Sequence, residues 1–67
     1  MKINLNNNPE TLEVESITVT NLLQVKNFTF KMLIVKINGQ LVKKTDYDHA
    51  EVREGDDVMV LHLISGG

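Results

Sequence analysis

Few residues in this chain are of types that do chemistry. The sequence ends LHLISGG, so Ser65, Gly66 and Gly67 follow directly on an apolar run. Gly66 and Gly67 carry no side chain, so this end can be extended and thin, and can thread a channel that any Cβ would block. A terminal carboxylate delivered that way can be activated as an acyl-adenylate by another enzyme's ATP. The activated carbonyl can then accept a nucleophile such as sulfide or a thiol. Other candidates offer less. His49 and His62 are the only histidines. Asp46, Asp48 and His49 share one segment with no second ligand cluster, whereas a zinc site needs three or four convergent ligands. That segment reads as a solvated loop, with no metal. His62 reads as a packed or hydrogen-bonded strand residue. Ser16 and Ser65 have no evident histidine partner, and a catalytic triad is recognised by geometry rather than by closeness in sequence. The glycines, Gly39, Gly55, Gly66 and Gly67, form no phosphate-cradling loop.

Length and composition narrow the field further. Sixty-seven residues make at most one domain. A chain this short buries only about 60% of the surface it exposes when unfolded, which leaves little volume for an enclosed catalytic pocket. Cysteine is absent, which removes disulfides, thiolate metal sites and a nucleophilic thiol, and fits a reducing, cytoplasmic setting. Nine acidic residues against seven basic ones, with no Trp, weigh against nucleic acid. Met1 leads straight into KINLN, which predicts no signal peptide. The apolar stretches fall far short of the ~18 residues of a membrane span.

The residues at the terminus must be positioned by the elements before it. Lys2 to Asn6 alternates, with Ile3 and Leu5 on one side, as a half-buried strand does. Asn6, Asn7, Asn8 and Pro9 form a turn cluster. Thr11 to Glu15 alternates again with Leu12 and Val14 inward, so the first fifteen residues read as a hairpin. In SITVTNLLQVKNF, Ser16 can cap a helix, and Val19, Leu22, Leu23 and Lys26 fall on one helical face. Against this, Ile17, Thr18, Val19 and Thr20 are all β-branched and favour a strand. The period predicts a helix over Thr18 to Asn27. MLIVKI is a strand with Leu33, Val35 and Ile37 on one face and Met32, Ile34 and Lys36 on the other, and it ends on Asn38-Gly39, the strongest short hairpin signal. Gln40 to Lys43 is its return strand. Thr45 to Glu51 is polar and irregular, Glu54 to Asp57 is a turn, and Val58 to Ile64 is the last strand. The order β-β-α-β-β-β predicts an α+β domain over 1–64, a mixed sheet of four to five strands packed on one helix, with a flexible tail over 65–67.

One sheet face then stays open. With Val58 and Val60 facing the helix beside Leu33, Val35 and Ile37, residues Met59, Leu61 and Leu63 lie on the open face next to Ile34. Soluble monomers seldom leave such a stripe uncovered unless something binds it. A slip of one residue in strand parity would exchange the two faces.

The stretch VKINGQLVKKTDYDHAEVREGDDVMVLHLISGG resembles the C-terminal half of the ThiS family, the sulfur-carrier proteins of thiamine biosynthesis. The matching marks are Val35 to Gly39 and the following Leu41-Val42, the aromatic Tyr47 in the polar loop, Glu54-Gly55-Asp56, His62 near the end of an apolar strand, and terminal Gly66-Gly67. The N-terminal half matches by pattern. The resemblance implies a ubiquitin-like β-grasp fold, and a carrier rather than an enzyme. It implies that Gly67 is adenylated by a ThiF-type activating enzyme using ATP and Mg²⁺. The carboxylate then becomes a thiocarboxylate with sulfur from a donor such as a cysteine desulfurase, and the sulfur passes to thiazole synthase (ThiG). The carrier itself needs no bound cofactor. Ile34, Met59, Leu61, Leu63 and Ser65 are the expected partner-binding residues, beside Gly66 and Gly67. Three features depart from the family pattern: Ser65 stands where many members have a further glycine, Tyr47 where they often have Trp, and the helix is rich in β-branched residues. The alternatives are a MoaD-like small subunit of molybdopterin synthase, a ubiquitin-like protein modifier, and a passive binding module whose Gly-Gly is incidental. The last strand lacks the aromatics and prolines of the MoaD-like proteins.

Overall fold

The structure is a computed structural model and describes residues 1–28 and 32–62. Among the described residues, seven strands and one α-helix follow in the order β1 (Lys2–Leu5), β2 (Asn8–Thr11), β3 (Ser16–Thr18), α1 (Val19–Val25), β4 (Leu33–Ile37), β5 (Gln40–Val42), a 3₁₀ turn (Lys44–Asp46), β6 (Glu51–Arg53) and β7 (Asp57–His62). Five strands make the main sheet in the order β2-β1-β7-β4-β5, and β3 pairs with β6 in a small second sheet. The β1–β7 pairing is parallel and the others are antiparallel, so the main sheet is mixed as expected.

Two hairpins share one device. Asn6 and Asn7 both have positive φ, at 51° and 66°, and join β1 to β2 with Leu5 opposite Asn8. Asn38 and Gly39, at 52° and 82°, join β4 to β5 with Ile37 opposite Gln40. Two consecutive left-handed residues give the twist that antiparallel strands need, and Asn and Gly adopt that conformation most readily. The first turn is therefore two residues long, shorter than the Asn6-to-Pro9 cluster suggests. Pro9 lies within β2 instead. It is tolerated there because β2 is an edge strand, where a missing N–H breaks no central ladder.

The helix begins one residue later and ends sooner than its period suggests. Thr18, not Ser16, is the N-cap: its Oγ1 accepts a hydrogen bond from the Asn21 N–H at 3.2 Å. Ser16 instead opens β3. The loop before β6 satisfies the neighbouring helix donors, with Val19 N–H donating to the Ala50 carbonyl and Thr20 N–H to the Tyr47 carbonyl, both at 3.0 Å. At the other end Asn27 turns left-handed (φ 59°). Its N–H donates to the Gln24 carbonyl at 3.0 Å and the Phe28 N–H to the Leu23 carbonyl at 2.8 Å. This is a Schellman closure with asparagine in the place glycine usually takes.

The core lies between the helix and one face of the sheet. Val19 and Leu22 of α1 pack with Ile3 and Leu5 of β1, Val35 of β4, Val58 and Val60 of β7, and Val52 of β6. Val14, expected inward, is 43% exposed because the chain leaves the sheet after Thr11. Leu12 stays half-buried against the core.

Candidate functional site

The alternation along β7 decides which face is open. Val58 is fully buried and Val60 is 7% exposed, whereas Leu61 is 41% exposed and Met59 lies between. The β4–β7 register places Ile34 opposite Leu61 and Lys36 opposite Met59, and the β4–β5 register places Leu41 opposite Lys36. Ile34, Met59, Leu61 and Leu41 therefore share the face turned away from the helix, around the exposed Lys36. Leu41 is 62% exposed. The sequence reading brought Ile34, Lys36, Met59 and Leu61 to this side of their strands but missed Leu41. It was readable, because the two-residue Asn38-Gly39 turn fixes Leu41 across from Lys36.

β7 is the central strand of the five-stranded sheet. Leu63, Ser65, Gly66 and Gly67 lie outside the described residues. Two hydrogen bonds brace the strand that leads to them. The Asn6 N–H donates to the Val58 carbonyl at 2.9 Å, and Asn6 Oδ1 accepts from the Val60 N–H at 2.7 Å. At the other end of β7, Asn38 joins two turns. Its Nδ2 donates to Asp56 Oδ1 at 3.1 Å, and its Oδ1 accepts from the Asp57 N–H at 2.9 Å. Asp56 Oδ2 in turn accepts from the Arg53 N–H at 2.9 Å. The starting point and direction of β7 are thus held by side chains as well as by its two neighbouring strands.

The polar loop serves the helix. Asp48 accepts a hydrogen bond from the Thr20 hydroxyl, and Tyr47 packs half-buried on the core. Among the described residues, no group of three or more His, Asp and Glu side chains is placed to hold a metal ion. His62 lies opposite Leu33 near the end of β7 and is exposed.

The comparisons with known proteins extend this picture. The ThiS family model matches residues 3–67. The chain belongs to the ThiS family. A crystal structure of the thiamine biosynthesis protein (ThiS) from Geobacter metallireducens is similar at a TM-score of 0.90 and 30% identity, covering 100% of both chains. A solution NMR structure of a thiamine biosynthesis protein from the same organism matches at a TM-score of 0.81 and 30% identity, covering 100% of this chain and 88% of the other. The ThiS neighbours share the ubiquitin-like β-grasp fold, one helix held across a mixed five-stranded sheet.

Proposed function

We propose that this protein is a sulfur carrier whose Gly67 carboxylate is adenylated and then converted to a thiocarboxylate, which donates sulfur for thiazole formation in thiamine biosynthesis. Membership of the ThiS family supports the carrier role. The observation that carries the reading is the family match running through residue 67, so that it includes Ser65-Gly66-Gly67, in a chain whose last described strand, β7, lies at the centre of the sheet.

The division of labour follows. Residues 1–64 form the folded body and 65–67 the tail. The open face, with Ile34, Met59 and Leu61, docks on a ThiF-type adenylating enzyme and then on thiazole synthase (ThiG), and Leu63 is a further partner-binding residue. Ser65 and the side-chain-free Gly66 and Gly67 enter the partner's active site. There the Gly67 carboxylate attacks the α-phosphorus of ATP and pyrophosphate leaves. The terminal sulfur of a donor persulfide, such as one formed by a cysteine desulfurase, displaces AMP at the activated carbonyl to give an acyl disulfide. A thiol then attacks the donor's sulfur, which releases the Gly67 thiocarboxylate and leaves the thiol and donor joined as a disulfide. ATP and Mg²⁺ are bound by the activating enzyme, and the carrier works in the cytoplasm as a co-substrate without its own cofactor.

ATP–pyrophosphate exchange tests the first step. With the activating enzyme present, the full chain should support exchange and the chain lacking Gly67 should not. Equal exchange by both would overturn the proposal.

A further inference from the structure

We propose that the protein surface covering the open sheet face presents a carboxylate to Lys36. The inference rests on the carrier reading, which requires that face to be buried during activation. Lys36 is exposed, opposite Met59 on β7 and Leu41 on β5, with Ile34 two residues before it on the same side of β4. Its neighbours across the strands are thus apolar. Among the described residues it makes no ion pair, and Asp57, which shares this face, makes none with it. Lys26 and Arg53, by contrast, already have partners in Glu10 and Glu51.

In water the ammonium group is solvated and costs nothing. Once an apolar partner covers Ile34, Met59, Leu61 and Leu41, that hydration is lost. An unpaired charge in an apolar contact is expensive, and a carboxylate opposite it offsets the loss through charge-assisted hydrogen bonds. The fitting partner is therefore an apolar protein surface with an Asp or Glu near its centre, not a wholly apolar one.

The sign of one substitution decides between these surfaces. Affinity for the activating enzyme would be measured by calorimetry with the full chain, its Lys36→Met and Lys36→Arg variants, and Leu61→Glu as a control. Thermal unfolding of each variant would confirm that it is folded. With a carboxylate opposite, Lys36→Met leaves that carboxylate buried and unpaired and weakens binding by at least roughly 30-fold. Lys36→Arg, which keeps the charge, retains most of the affinity. Lys36→Met binding as tightly as the unmodified chain, or more tightly, would overturn the inference, and would mean that the lysine stem lies along the contact with its head at the rim. Failure of the unmodified chain to bind would overturn the carrier reading and this inference with it. Loss of binding by Leu61→Glu alone would leave the carrier reading standing and reject the carboxylate.

Discussion

Asn6 Oδ1 accepts a hydrogen bond from the backbone N–H of Val60 at 2.7 Å. The reason lies in the register. The paired residues of β1 and β7 end at Leu5 and Val58, where the chain turns away through Asn6 and Asn7. Val60 then has no β1 carbonyl beside it, and the asparagine side chain takes that carbonyl's place. One residue thus closes the first hairpin and holds the strand that leads to the Gly-Gly terminus.

Two substitutions at Asn6 separate its two roles. Asn6→Gly keeps the left-handed turn and removes the acceptor, which should cost about 1.5 kcal/mol because a partly buried N–H loses its partner. Asn6→Ala should cost about 1 kcal/mol more, since a Cβ is strained at positive φ. Chemical denaturation measures both, and amide exchange at Val60 should quicken in each. An unchanged midpoint and unchanged Val60 protection in Asn6→Gly would contradict this.

The two faces of β7 should respond in opposite ways. Val58→Ala removes methyl groups from a fully buried site and should cost about 2 kcal/mol. Leu61→Glu, at a position 41% exposed, should shift stability by less than about 1 kcal/mol. It should nevertheless abolish detectable binding to the activating enzyme, because it buries an unpaired charge in the contact. Unfolding of Leu61→Glu would mean the exposed face has been misassigned.

The helix end offers a stabilising change. Asn27 holds a left-handed C-terminal position at φ 59°, which glycine adopts without strain. Asn27→Gly should raise stability by roughly 0.5 kcal/mol, and Asn27→Ala should lower it by about 1 kcal/mol. Equal melting temperatures for the two variants would contradict the left-handed closure.

Asn38 should be the most sensitive of the turn asparagines. Asn38→Ala removes an acceptor from the Asp57 N–H and a donor to Asp56, and also strains the backbone at φ 52°. The expected loss is about 3 kcal/mol, measured by denaturation. Asn38→Gly keeps the turn and should recover about 1 kcal/mol of that. A loss no larger than at Asn27→Ala would mean that the side-chain bridge contributes little.

Much of this architecture was legible in the sequence, and the failures have physical causes. Asn38-Gly39 fixed one hairpin, and the alternation of Val58, Met59, Val60 and Leu61 identified the buried and open faces. The run SITVTNLLQV looked contradictory because it holds two elements. Its β-branched start is strand β3 up to Thr18, and its helical period belongs to α1 from Val19. Propensity and period were each right for their own part. Strand β6 has only three residues, of which Val52 alone is buried, so it leaves no periodic signal. Pro9 was read as turn because its tolerance depends on β2 being an edge, which is a property of the sheet and not of the local sequence. The bracing of β7 by Asn6 was equally hidden, since the two residues are 54 positions apart. On the open face, Ile34, Lys36, Met59 and Leu61 follow from parity, whereas Leu41 needed the cross-strand register.

The most direct test of the carrier reading is the intact mass of the full chain after incubation with a ThiF-type enzyme, ATP and a sulfur donor. The account predicts a gain equal to replacing one oxygen by sulfur, located at Gly67 by fragmentation and absent when Gly67 is deleted. An unchanged mass, with the same enzyme shown to be active on another carrier, would contradict it.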